Sequence, residues 1–283
     1  MPRTRLGRLL LAFVALIVLG GSGIVFVMCS AKPGGPTALA ASATPLPSPT
    51  TTMPPLVDGP ELVGMMADPP ARPFLTSSGP ATLTTVDAEP IQLPTGRLVA
   101  ADVFFLFDAQ PFAATLSPGE TPVTVLVAEF AADDRRVAAI LVGDPDALTD
   151  PSVSWTPATL AGGAALPPDQ VAAFAVDSGT AGFTSAEGAA RIAADAGYDD
   201  RMLEALEGAG FIEPVHVALD DARTLDEVAV PSGFGDGAYA TWVGTDAGGK
   251  ARAFLTSFDV LDHAAPPAPS LAPDAPLSPS PSA

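Results

Sequence analysis

Proline is crowded toward the two ends of this 283-residue chain. Residues 29–60 are rich in Pro, Ala, Ser and Thr, as in Thr44-Pro45-Leu46-Pro47-Ser48-Pro49. Residues 264–283 hold seven prolines in twenty positions. Such segments bury too little apolar surface to offset chain entropy, and proline removes backbone donors, so they favour extended polyproline-like conformations. A packed core is thereby confined to residues 61–263, long enough for one sizeable domain. The first proline-rich segment reads as a stalk, the second as a disordered tail. No internal repeat appears at a convincing period.

Leu9 to Val27 form a run that is apolar apart from Ser22, and no charge occurs between Arg8 and Lys32. At about 1.5 Å per helical residue it reaches about 28 Å, the thickness of a bilayer's hydrocarbon core. Arg3, Arg5 and Arg8 precede it. The positive-inside rule then keeps residues 1–8 in the cytoplasm, makes residues 9–28 a transmembrane signal anchor, and sends the remainder outward. The run exceeds the usual h-region of a cleaved signal. The alternatives are a secreted form cut at Ala38-Leu39-Ala40 and a lipoprotein lipidated at Cys29. All three place the domain in an extracytoplasmic location.

Charge and composition exclude several classes. Thirteen basic residues stand against 32 acidic ones, a net charge of −19. Nucleic acid is excluded as a partner, because phosphate binding needs a basic patch. One cysteine excludes an intramolecular disulfide and thiolate zinc sites. Two histidines, His216 and His263, exclude a multi-histidine metal centre.

Within the middle region the pattern is mainly short strands. Ala81–Val86, Leu98–Val99, Val103–Phe107, Pro122–Phe130, Arg136–Val142, Val171–Val176, Val215–Leu219, Val228–Val230, Ala238–Val243 and Ala251–Phe258 are β-rich or apolar runs between turn signals. Asp133-Asp134 and Thr245–Lys250 mark hairpins. Thr184 and Glu187 fit a capping box before a short amphipathic helix. Asp199 or Asp200 caps a second helix carrying Met202, Leu203 and Leu206. The expected fold is α+β: a mostly antiparallel sheet with a small helical insertion, preceded by one transmembrane helix.

The motifs that follow one another are Leu93–Gly96, Asp102, Pro118–Val123, Val176–Thr180, Ser232–Tyr239 and Gly244–Asp246, with a last strand reaching Phe258-Asp259. Their order resembles DUF4241, a bacterial family of unknown function, over most of residues 68–262. The Gly-x-Gly-Asp-Gly-x-Tyr segment with the upstream Val-Asp-x-Gly-Thr is the most specific part. The resemblance implies domain limits and no activity.

Two loops hold the candidate site residues. Asp177-Ser178-Gly179-Thr180 resembles an aspartic-protease loop, a chemistry that needs two carboxylates sharing a proton. No second copy of the motif exists, and the plainer reading is an Asx turn in which Asp177 accepts from the amides of Gly179 or Thr180. Gly233, Gly235, Asp236, Gly237 and Tyr239 form a glycine-rich loop that could bind a ligand through exposed amides, or hold calcium through Asp236 with Asp177. Its plainer reading is a tight turn before a strand with Tyr239 and Trp242 on opposite faces. Asp102, Asp246 and Asp259 are further carboxylates that could converge there, although Asp246 suits a hairpin turn and Asp259 a solvated strand end. His216 points away from the valines on either side of it, and His263 falls at the tail boundary. The reading that results is a membrane-anchored, non-catalytic interaction module for a cell-surface protein. The alternatives are a hydrolase using Asp177 and Asp236, and a structural envelope protein.

Overall fold

Strand formation is strongest where β-branched residues run without interruption. Gly119–Glu129 (β5) and Arg135–Gly143 (β6) pair antiparallel across the short connection at 130–134, and Val137–Val142 are all buried. A strand buried on both faces needs no alternation, which is why this stretch reads as a continuous apolar run. The computed structural model describes residues 51–53, 58–131, 134–163, 171–210 and 213–262. The 9–28 anchor, the 264–283 tail, Cys29 and His263 lie outside them. Among the described residues no helix is long and apolar enough to cross a membrane.

The remaining elements, in chain order, begin with strand β1 (Thr51–Met53), helix α1 (Gly59–Ala67), β2 (Phe74–Thr76), β3 (Gly79–Leu93) and β4 (Leu98–Asp102). A 3-10 helix at Val103–Asp108 precedes β5 and β6, and another at Pro145–Leu148 follows them. Then come β7 (Ser154–Pro157), β8 (Val171–Val176), β9 (Thr180–Ser185), helices α2 (Ala186–Ala193) and α3 (Tyr198–Gly208), β10 (Val215–Ala218), β11 (Asp226–Pro231), β12 (Gly237–Thr245) and β13 (Ala251–Ser257).

Two antiparallel sheets result. The larger runs β1-β8-β12-β13-β6-β5-β3-β2, with β7 also on β12. The smaller runs β10-β11-β9-β4. One face of the small sheet, carrying Leu98, Ala100, Ala181, Phe183, Val228 and Val230, shares a core with the large sheet. Its other face, carrying Val99, Ala101 and Ala229, packs with Ile192 of α2, Met202 and Leu206 of α3, and Leu106. The domain is therefore α+β, with large sheet, small sheet and helices α2 and α3 in three layers and α1 packed against the large sheet. The large sheet recruits Thr51–Met53 from the proline-rich stretch as a neighbour of β8.

Several expectations are corrected. Val103–Phe107, expected as a strand, is a 3-10 helix, because the Asp102 carboxylate accepts from Phe104 N at 2.9 Å and turns the chain out of the sheet. Helix α2 is capped by Ser185, whose Oγ accepts from Gly188 N at 2.9 Å. Thr184 is a β9 residue instead, and its hydroxyl donates to the Asp226 carbonyl at 2.6 Å. Helix α3 starts at Gly197 without a side-chain cap, and Asp199 and Asp200 occupy its first turn, where they favour the positive end of the helix dipole. Helix α1, capped by Asp58 with Pro60 in its first turn, and strand β9 were not anticipated. Strand β9 hides because Gly182 sits at its centre and Phe183 is its only large apolar side chain.

Other expectations hold. Hairpins form at 130–134 and at 245–250, where Asp246 Oδ1 accepts from Gly248 N and Lys250 N, both at 2.9 Å. Tyr239 contacts Phe174 and Phe258 edge-on, while Trp242 lies against Gly59 of α1, so the two rings leave β12 on different sides.

Candidate functional site

The two glycine loops meet at one end of the large sheet. Strand β8 pairs with β12 in the register Val176–Gly237, so Asp177 and Asp236 extend from neighbouring strand ends. Ser232 N donates to the Gly179 carbonyl at 3.0 Å. A methyl group on Gly179 would lie 3.7 Å from Gly235 Cα. The topology thus brings the sequence's two candidate loops together.

What holds each loop differs from expectation. Asp102, almost fully buried, accepts from Asp177 N at 2.8 Å and Ser178 N at 2.7 Å through one oxygen, and from Phe104 N through the other. The clamp on the loop is therefore Asp102, not an Asx turn made by Asp177. Thr180 N instead donates to Ser178 Oγ at 3.3 Å. Both the Asp177 and Asp236 residues are exposed.

The glycines of the second loop serve packing. Gly233 has φ +59°, and a Cβ there would come within 2.5 Å of the Phe258 carbonyl oxygen. A Cβ on Gly237 would strike the Tyr239 ring at 2.8 Å. The Tyr239 hydroxyl lies 2.6 Å from the Gly235 carbonyl and 2.9 Å from that of Ser232, and it fastens the loop to its own strand. Burial raises the Tyr239 pKa, and the charges of Asp259 and Asp236 add to it.

Asp259 is the chemically distinct acid here. Expected as a solvated strand end, it is half-buried in a left-handed conformation, φ +55°. Its Oδ1 is buried without a partner. Burial, aided by the nearby Asp262 charge, pushes its carboxyl up to about 6. Asp262 itself accepts from the amide and hydroxyl of Ser77.

Calcium takes six or more oxygen ligands. Among the described residues no group of three or more His, Cys, Asp or Glu side chains is placed to hold a metal. Asp177, Asp236 and Asp259 thus share a region and do not assemble a ligand set. A groove of ≈ 390 Å³ elsewhere is lined by Ser117, Glu120, Asp144, Lys250 and Arg252, and neither Asp177 nor Asp236 borders it.

A family model described as a protein of unknown function (DUF4241) matches residues 91–256. The chain belongs to the DUF4241 family. The matched span begins inside β3 and ends within β13, so this DUF4241 domain includes both glycine loops, the Asp102 clamp and the helical layer. No curated protein and no solved structure matches the chain.

Sequence reasoning missed the most exposed aromatic feature of the DUF4241 domain. Phe105 is 56% and Phe107 51% exposed, with ring centroids 6.2 Å apart on the 103–108 turn. The signal was partly available: Phe104, Phe105 and Phe107 fall within four positions, and one turn of helix cannot turn all three toward a single core. Helix α3, in the same layer, exposes Leu203 and the acids Asp199, Asp200, Glu204 and Glu207. Phe234 is a second exposed ring, with the Arg136 guanidinium 5.1 Å from its centroid.

Proposed function

We propose that this domain is a non-catalytic interaction module, displayed outside the cytoplasm on the 9–28 anchor and the part of the proline-rich stretch that precedes β1, that docks a cell-surface partner through its helical layer. The carrying observation is the Phe105–Phe107 pair. Both rings stand in solvent on a turn whose start is fixed by the buried Asp102 carboxylate. Exposed aromatic rings on a rigid support are the usual anchors of an interface. The exposed acids of α3, in the same layer, favour a partner that is basic around an apolar centre.

A photo-crosslinking residue at position 107, compared with one at exposed Thr82 on β3, tests this reading in intact cells. The expected result is a discrete adduct from position 107 alone, weakened by salt and lost when Phe105 is changed to Ser. Equal adducts from both positions, or none from 107, would refute it. The hydrolase alternative rests on the Val176–Gly237 pairing that sets Asp177 beside the Asp236 loop. It requires that Asp177→Asn and Asp236→Asn each abolish a hydrolytic activity of the whole chain while folding is retained.

A further inference from the structure

One buried tyrosine holds two oxygens through a single hydroxyl. Tyr198 opens helix α3, and its hydroxyl oxygen lies 3.0 Å from the carbonyl oxygen of Val103 and 2.6 Å from Glu227 Oε2. Both are hydrogen-bond distances. A carbonyl only accepts, and a phenol carries one proton. One proton shared between two acceptors, as at Tyr239, serves each bond poorly, and a proton on the Glu227 carboxyl gives each bond a donor of its own. Tyr198 then donates to Val103, and Glu227 donates to Tyr198.

The surroundings of Glu227 agree with a neutral acid. Its side chain is fully buried. Oε1 has no partner and lies over Gly182, where a Cβ would come within 2.7 Å of that oxygen and 2.6 Å of Leu106 Cδ1. A fully buried carboxylate with an orphan oxygen is expensive, and a neutral carboxyl much less so. Burial pushes the Glu227 carboxyl up to about 8, and burial first, then Glu227, raises the Tyr198 pKa.

The ionisable groups near this pair are few. Helix α3 brings Tyr198 and Asp199, and Asp102 precedes the 103–108 turn; both aspartates act on Tyr198. Helix α2 buries Gly188, Ala189 and Ile192. Strand β9 offers Gly182 and Thr184, and β10 pairs Val217 with Glu227. His216 and Asp226 alternate with Val217 and Glu227, so they belong to the opposite face of the small sheet.

We propose that Glu227 and Tyr198 form a proton-dependent lock that fastens helix α3 to the 103–108 turn, and that ionisation of Glu227 opens it. When Glu227 gives up its proton to solvent, the Tyr198 proton turns to the carboxylate and the Val103 carbonyl loses its donor. The turn that presents Phe105 and Phe107 is then no longer tied to α3. The lock stands on this geometry whether or not the turn docks a partner.

The test is a pH titration of the isotopically labelled full chain by NMR, following the Glu227 carboxyl carbon, identified by its loss in Glu227→Gln. Amides of α3 and of residues 103–108 are followed in the same samples. The expected result is a Glu227 midpoint above neutrality, with those amides shifting at the same midpoint. In Tyr198→Phe the carbon should still titrate while the amides cease to follow it. A Glu227 midpoint in the ordinary carboxylate range would overturn the proposal. So would amides that ignore the Glu227 titration, or that follow it equally in Tyr198→Phe.

Discussion

Replacing Asp102 by alanine separates the role of the clamp from that of the loop it holds. The carboxylate accepts three backbone amides, those of Phe104, Asp177 and Ser178, at 2.7–2.9 Å. A hydrogen bond to a charged acceptor contributes about 1.5–3 kcal/mol net. Asp177 and Ser178 are exposed, so water would recover part of their two bonds, leaving about 1 kcal/mol each. The amide of Phe104, a half-buried residue, loses closer to the full amount. The expected cost of Asp102→Ala is thus about 3–5 kcal/mol. Asp102→Asn keeps a carbonyl oxygen for one side of the clamp but turns an NH2 group toward the other donors, and should cost about 1–2 kcal/mol. Asp177→Asn changes an exposed side chain and should stay within about 0.5 kcal/mol. Urea unfolding of the three variants, compared at matched slopes, gives the values. A loss below about 1 kcal/mol for Asp102→Ala, or a loss for Asp177→Asn equal to that of Asp102→Asn, would refute the assignment of the clamp to Asp102.

Three further outcomes are expected. His216 is flanked by Asp226 and Glu89, each at 3.2 Å, and its pKa is raised by the hydrogen bond to Asp226 and then by both charges. A raised folded-state value means that the contribution of His216 is fully present below about pH 6.5, the unfolded value, and is lost as pH rises through the folded one. The stability gap between the native chain and His216→Gln should therefore narrow from pH 5.5 to pH 8.5; a gap that widens would contradict the ion pairing. Gly143→Ala should destabilise by at least about 2 kcal/mol, because overpacking is costly: its φ is +135° and the new Cβ would lie 2.5 Å from Arg252 O and Ala253 Cα at the β6–β13 pairing. A near-neutral melting temperature would show that the hairpin shifts freely there. Phe105→Ser with Phe107→Ser should leave urea stability within about 1 kcal/mol, as exposed substitutions do; a larger loss would mean the rings support the core.

Much of the sheet was legible because burial leaves a local record. Val123–Val127 and Val137–Val142 are dense in β-branched and apolar residues, and the Asp246–Lys250 turn carries its own side-chain acceptor. The capping region of α2 was legible to within one residue, since Thr184 and Ser185 are both competent caps. What decided between them was strand β11, whose Asp226 carbonyl takes the Thr184 hydroxyl and leaves Ser185 for the helix. The family resemblance was likewise legible, because it rests on loop residues that stand contiguous in the chain.

The site divides along the same line. By itself the sequence determined that Asp177 and Asp236 end strands beside glycines, and that the chain carries a net charge of −19. Tertiary structure alone set the register that places those loops side by side, buried Asp102 beneath them, and turned Phe105 and Phe107 to solvent. It also brought Glu227 into hydrogen-bond contact with Tyr198. Hydrophobic periodicity reports which face of an element is covered. It does not report which distant polar group meets another inside that cover, and the proton inventory of the Tyr198–Glu227 pair depends on a meeting between residues 29 positions apart in the chain.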